Sequence, residues 1–254
     1  MKRYFMYLSY NGAKYSGWQI QPNGLTVQQV LEDAMSLLLR KDERMSITGA
    51  GRTDAKVHAR MMVAHFDTVE DDLDTCRFAD RLNGILPNDI AIYGIERVKS
   101  DAHARFDAVS RLYRYYVITR KDPFRVETHC RMRGDLDIER MNRCADILFE
   151  YQDFTSFSKL HTDVKTNNCK IMYARWEKRE SEYIFTIKAD RFLRNMVRAI
   201  VGTLLDVGKG KLDEEGFRRI IEAKNRCDAG GSVPGHALFL EGVEYDAKIK
   251  FNED

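Results

Sequence analysis

The order of strand-like and helix-like patterns constrains this chain more than any other feature, because it runs β-α-β-β-α-β twice. In the first half, residues 3–10 form an aromatic-rich run with strand character. Thr26-Val27-Gln28-Gln29 reads as a capping box, a hydroxyl and an amide three residues apart that satisfy exposed helix N–H groups. Behind it Val27, Val30, Leu31, Ala34 and Leu38 recur at helical spacing, which predicts a helix to about Arg40. Short strands over 45–48 and 62–66 follow, then a helix over 75–84 stopped before Leu86-Pro87-Asn88, then a strand over 90–98. The second half repeats the order: a strand over 112–119, a helix over 138–149 capped by Asp137, a hairpin over 171–179 and 183–189, a helix over 194–207 ending near Gly208, an extra helix over 213–223, and a last strand over 239–245. The halves share architecture, not sequence. The expected fold is α+β: two ferredoxin-like halves, residues 1–102 and 103–254, packed side by side around a central, largely antiparallel sheet with helices on one side. Nothing near the join at 100–104 resembles a long flexible linker.

Composition narrows the class. With 254 residues, 44% hydrophobic and 31% charged, and with 13 Phe and 12 Tyr, the chain has the core-forming material that disordered sequences lack. No apolar run approaches the ~18 residues of a membrane span. The basic start, Met1-Lys2-Arg3, leads into too short an apolar stretch for a signal peptide, so a cytoplasmic location is expected. Cys76, Cys130, Cys144, Cys169 and Cys227 are scattered without a C-x-x-C pair, which argues for reduced thiols rather than disulfides or a zinc site. His58 and His65 lie seven apart with no third ligand nearby, so no metal is expected.

The net charge is +2, but it is unevenly spread. Residues 103–133 carry eight Lys/Arg against three Asp/Glu, and residues 159–179 carry six against two, so the rest of the chain is acidic. Such a protein can hold a polyanion on one surface without adhering to every polyanion, although two solvated basic faces would give the same count.

Three stretches carry chemistry. The first, Gly49-Ala50-Gly51-Arg52-Thr53-Asp54-Ala55-Lys56-Val57-His58-Ala59, lies between two strand signals. Its two glycines permit positive φ and close backbone approach, and a carboxylate on such a loop suits nucleophilic or general-base work, or else an Asx-turn. In the second, Arg111-Leu112-Tyr113-Arg114-Tyr115-Tyr116, strand alternation puts Tyr113 and Tyr115 on one face and Arg114 and Tyr116 on the other. Aromatics beside Arg on a sheet stack on unpaired bases, or belong to a core strand. In the third, Arg198 stands inside the apolar helical run from Met196 to Val201. A partly buried guanidinium there calls for a carboxylate partner, unless it snorkels to water.

Together these stretches resemble the tRNA pseudouridine synthase A family, whose signature loop G-R-T-D-A-G-V-H-A matches Gly51 to Ala59. The resemblance covers nearly the whole chain and includes Tyr10-Asn11-Gly12 with Gly17-Trp18-Gln19, His103-Ala104-Arg105-Phe106, Asp153-Phe154-Thr155-Ser156-Phe157, and Met196-Val197-Arg198 followed by Gly202. Two positions depart from it: Lys56 stands at the usual Gly, and Met62 where many relatives have Gln. The resemblance implies cofactor-free isomerisation of uridine to pseudouridine at positions 38, 39 and 40 of the tRNA anticodon arm, by a homodimer with an RNA cleft on the sheet face opposite the helices. It implies Asp54 as the catalytic carboxylate and Arg198 as its ion-pair partner. Tyr113 would stack on the uracil, and Arg52 would hold the extruded nucleotide. A non-catalytic RNA-binding module would explain the charge and Tyr113 but not Arg198 in an apolar helix. A small-molecule enzyme would explain Asp54 and Arg198 but not the basic segments.

Overall fold

The structure, a computed structural model, describes residues 1–69, 73–159 and 166–250; Asp163 and Lys165 of the second basic segment lie outside the described residues. In chain order the elements are β1 (Lys2–Tyr10), α1 (Val27–Leu38), β2 (Ile47–Gly49), β3 (His58–Thr68), α2 (Thr75–Ile85), β4 (Ile90–Val98), β5 (Ala108–Ile118), β6 (Cys130–Arg131), α3 (Ile138–Ile147), β7 (Ile171–Arg179), β8 (Glu182–Ala189), α4 (Met196–Gly208), α5 (Glu214–Glu222) and β9 (Leu238–Tyr245). The fold is mixed α+β, and every strand pair of known register is antiparallel except β5 with β6. No helix among the described residues is long and apolar enough to cross a membrane.

The chain divides into two compact units, one of Met1–Val109 with the residues from Leu240 onward, the other Ser110–Phe239. In the first, the strands run β4-β1-β3-β9, with β2 paired to β3. β1 is paired on both sides, with Phe5 opposite His65 of β3 and Glu96 of β4. A strand enclosed in this way buries its apolar residues, and Phe5, Met6 and Leu8 are fully buried. In the second unit the order is β5-β8-β7, with Tyr113 opposite Ile187 and Trp176 opposite Phe185. Tyr115, Phe185, Ile187, Ile200 and Leu204 form its core.

Helix starts follow the sequence signals. Thr26 Oγ1 accepts the Gln29 N–H at 3.3 Å, and the Asp137 carboxylate accepts the Arg140 N–H at 2.9 Å. The ends differ in ways side-chain bonding explains. α1 stops at Leu38, and Arg40 takes a left-handed φ of 50°. β2 begins at Ile47 rather than 45, because the Met45 N–H is taken by Ser36 Oγ at 2.7 Å. β3 reaches back to His58, since β1 offers it a partner as far as Tyr10, opposite Ala59. α4 begins at Met196 rather than 194, because Asn195 is left-handed with φ 66°.

Glu32, on the buried side of α1, ties that helix to β2. Its Oε1 accepts the Ile47 N–H at 3.0 Å and Gln28 Nε2 at 2.8 Å. Glu32→Ala strands the buried Ile47 N–H, while Gln28 Nε2 keeps its bond to the Ile47 carbonyl at 3.0 Å, so urea denaturation is expected to show a loss of about 1–3 kcal/mol, with Glu32→Gln milder. His65 provides a second test. It is buried, and desolvation pushes its pKa down to about 4, with nearby Arg3 adding to the effect. A histidine kept neutral when folded but protonated when unfolded gives stability that is present above pH ~6.5 and lost as pH falls towards 4. His65→Gln is expected to flatten the stability profile across that window.

Candidate active site

Asp54 lies on the loop joining β2 to β3, held mainly by the backbone of residues 10–18. Trp18 N–H donates to the Thr53 carbonyl at 3.2 Å, and Lys56 N–H donates to the Tyr15 carbonyl at 3.1 Å. The Tyr10 hydroxyl and Thr53 Oγ1 share a buried hydrogen bond of 2.9 Å. Gly12 N–H donates to His58 Nδ1 at 3.0 Å, which makes that nitrogen the acceptor of a neutral ring. The approach is so close that a β-carbon on Gly12 would meet the Val57 carbonyl, and one on Gly17, where φ is +100°, would meet the Thr53 carbonyl. The clamp is anchored from behind by Asp89, whose carbonyl accepts the Asn11 N–H at 2.9 Å and whose carboxylate accepts the Tyr15 hydroxyl at 2.6 Å. Burial and that hydrogen bond raise the Tyr15 pKa. Within this frame Thr53 is buried, Asp54 half-buried and Arg52 exposed.

The loop's own glycines behave differently from expectation. Neither Gly49 nor Gly51 has positive φ, and Gly51 faces open space. Gly49 does provide a close approach, to the Trp18 indole. The left-handed residue is Lys56, with φ 64°, in the turn closed by Val57 N–H to the Asp54 carbonyl at 3.2 Å. The departure noted in the sequence therefore falls where a turn with positive φ favours glycine.

In the second unit, Tyr113 is half-buried on β5 and meets Phe192 edge-to-face at 5.2 Å. Of its strand neighbours, Leu112, Arg114 and Tyr116 are half-buried. Tyr115 is fully buried, donates to the Pro234 carbonyl at 3.1 Å, and has its pKa raised mainly by burial. Tyr116 packs on Phe239 and His129. Of the three tyrosines, Tyr115 alone is fully buried, while Tyr113 and Tyr116 are half-buried. Arg198 occupies the first turn of α4, half-buried among Val197, Ala199 and Val201, which are buried. Its Nε donates to the Val233 carbonyl at 2.7 Å, and Val233 N–H returns a bond to the Arg198 carbonyl at 3.2 Å.

That reciprocal pair belongs to a segment the sequence reading missed. A β-carbon on Gly202 would meet the Gly231 carbonyl, and Gly230 N–H donates to Thr203 Oγ1 at 3.0 Å. Asn195 Nδ2 donates to Ser232 Oγ at 2.5 Å. Gly230-Gly231-Ser232-Val233-Pro234 reads in sequence only as a loop; its signal is the Gly-Gly pair, which permits close packing on a helix.

The structure thus places Asp54 and Arg52 together on one loop of the first unit, and Tyr113 and Arg198 in the second. His58 and His65 each use Nδ1 to accept a backbone N–H, from Gly12 and Ala104. A cavity of about 790 Å³ in the first unit, lined by Arg3, Arg44, His65 and Asp67, includes none of the four site residues.

Lys56 gives a direct test of the loop. A non-glycine residue in left-handed backbone costs about 1–2 kcal/mol, while glycine loses about 0.5–1 kcal/mol through chain entropy. Chemical denaturation is expected to show Lys56→Gly equal to the parent or up to about 1 kcal/mol more stable, and Lys56→Val less stable than either.

A family model described as tRNA pseudouridine synthase matches residues 6–107 and 151–246. A tRNA pseudouridine synthase A from Bacteroides thetaiotaomicron is 61% identical over 257 residues, covering 100% of this chain and 94% of the relative. One from Parabacteroides distasonis is 59% identical over the full length of both. A more distant one, from Bacillus subtilis, is 39% identical over 94% of this chain and 97% of its own length. With the family model matching residues 6–107 and 151–246 and full-length relatives at this identity, the chain belongs to the tRNA pseudouridine synthase family.

Proposed function

We propose that this protein isomerises uridine to pseudouridine at positions 38, 39 and 40 of the tRNA anticodon stem-loop, in the cytoplasm, as a homodimer and without a cofactor. The observation that carries this reading is the Asp54 carboxylate, half-buried on a backbone-clamped loop whose sequence matches the family signature. The reaction breaks the N1–C1′ bond, turns the uracil and joins C5 to C1′. N1 gains a proton and C5 loses one, so atoms balance without redox chemistry. As the uracil departs, C1′ becomes electron-poor, and a fixed carboxylate stabilises or traps it, as in retaining glycosidases.

Arg198 is assigned as the cation that keeps Asp54 ionised once the RNA excludes water. Its guanidinium is pre-oriented by the Val233 carbonyl, which accepts from Nε at 2.7 Å. Tyr113 is assigned to stack on the uracil, with Phe192 bracing the ring edge-on. Arg52, exposed two residues before Asp54, is assigned to the phosphate of the extruded nucleotide. The basic stretches 103–133 and 159–179 supply the attraction for the RNA backbone.

Release of tritium from tRNA labelled at uridine C5 tests the reading, since a binding module would release none. Asp54→Asn is expected to abolish release while tRNA affinity changes little, because phosphate contacts supply most of the binding. Residual activity within tenfold of the parent would remove Asp54 from its role. Arg198→Lys keeps the charge but loses the planar fork, and a sharp drop in single-turnover rate is expected. Tyr113→Leu is expected to fold normally yet lose about 1–3 kcal/mol of stacking, whereas Tyr113→Phe retains it. An unchanged rate in a folded Tyr113→Leu protein would place Tyr113 outside the site.

A further inference from the structure

The turn between β4 and β5 presents an aromatic ring to water on an unusually rigid mount. His103 N–H donates to Asp107 Oδ2 at 2.6 Å, and Asp107 N–H donates back to the His103 carbonyl at 3.0 Å. Inside that closed loop, the N–H groups of Arg105 and Phe106 both donate to His103 Nδ1, at 3.1 and 3.3 Å. The loop is fastened to the first unit's sheet by Ala104, whose N–H donates to His65 Nδ1 at 3.1 Å and whose carbonyl accepts the Tyr245 hydroxyl at 2.6 Å. A column of rings runs outward through it: Phe5 on His65 at 6.3 Å, His65 on His103 at 4.6 Å, and His103 on Phe106 at 4.2 Å. Phe5 and His65 are buried and His103 is half-buried. The last one, Phe106, is 74% exposed, and the exposed Arg105 holds its guanidinium carbon 5.7 Å from the ring centroid.

An aromatic that only filled space would turn inward, because burying a phenyl ring is strongly favourable. Here the loop's hydrogen bonds fix the backbone so that the ring faces solvent with one side backed by His103. Burial holds the His103 pKa below its usual value, so the imidazole is neutral at physiological pH and the positive charge at the mount is that of Arg105. A flat ring beside a guanidinium, at the head of a segment with eight Lys/Arg against three Asp/Glu, matches a ligand with a π face and an anionic backbone. We propose that Phe106 and Arg105 form a docking platform on which an unpaired nucleobase of the tRNA substrate stacks, with Arg105 contacting the adjoining phosphate. The platform contributes binding, not bond chemistry, and it rests on the tRNA-modifying function proposed above.

The test measures tRNA affinity, single-turnover pseudouridine formation at saturating enzyme, melting temperature and sedimentation for the parent and for Phe106→Ala, Phe106→Trp and Arg105→Ala. Phe106→Ala is expected to fold normally, to bind tRNA about five- to a hundredfold more weakly, the range for one lost base–aromatic stack, and to keep the parent's rate once saturated. Phe106→Trp is expected to restore affinity, and Arg105→Ala to weaken binding and flatten its salt dependence. Unchanged affinity in Phe106→Ala beside an active parent would overturn the platform alone and leave the proposed activity standing. A parent that neither binds nor modifies tRNA would overturn both. A shift in sedimentation with unchanged tRNA affinity would overturn it in favour of a contact between copies of the chain.

Discussion

Backbone packed on backbone is the constraint on which the Asp54 loop depends. Side-chain contacts can re-pack around a substitution, whereas a carbonyl lying where a β-carbon would be leaves no room for adjustment. Gly12 against Val57 and Gly17 against Thr53 make two such contacts, on either side of Asp54. The hydrogen bonds from Trp18 to Thr53 and from Lys56 to Tyr15 then fix the loop's position, and the Tyr10–Thr53 hydroxyl pair closes the buried side. The backbone that carries Asp54 between these fixed points has little conformational freedom left to lose.

The second unit holds Arg198 by the same device in a different setting. There a regular helix is the held element and an irregular strand of backbone is the clamp. Gly202 lets the Gly231 carbonyl lie against α4, and Val233 exchanges two hydrogen bonds with Arg198. Pro234 continues the segment and takes the hydroxyl of Tyr115, two residues beyond Tyr113 on β5. One short run of chain therefore links the helix carrying the guanidinium to the strand carrying the tyrosine through bonds of 2.7 to 3.2 Å.

What the sequence made legible follows from how local each cause is. The caps at Thr26 and Asp137 are set by residues three apart, and the alternating and helical periods of β1, α1, β7 and α5 are set within single elements, so all were readable. The backward extension of β3 and the late start of β2 depend on distant partners, β1 and the side chains of Ser36 and Glu32, and carried no local mark. The glycines of the signature loop pointed to the wrong place for its positive φ. Glycine advertises freedom whether or not the fold uses it, and here Gly51 does not use it while Lys56 supplies the positive φ. The Val233 clamp was invisible because a Gly-Gly-Ser run has the same composition whether it is a slack loop or a tightly packed one.

Counting charges along the chain also overstates what a surface can present. Residues 103–133 hold eight Lys/Arg, yet Arg125 is engaged by Asp122 at 3.2 Å and Glu182 at 2.9 Å, and Arg111 donates to the Asp190 carbonyl at 2.7 Å. Arg125, its charge matched by two carboxylates, adds little to the field felt by an approaching polyanion. Arg120, Lys121, Arg131 and Arg133 remain exposed from the same segment. A surface with a few mobile cations attracts phosphate from any direction but cannot orient it. Each unit also holds an aromatic ring braced by another, Phe106 on His103 in the first and Tyr113 on Phe192 in the second, and the proposed base contacts rest on these rings rather than on the exposed cations.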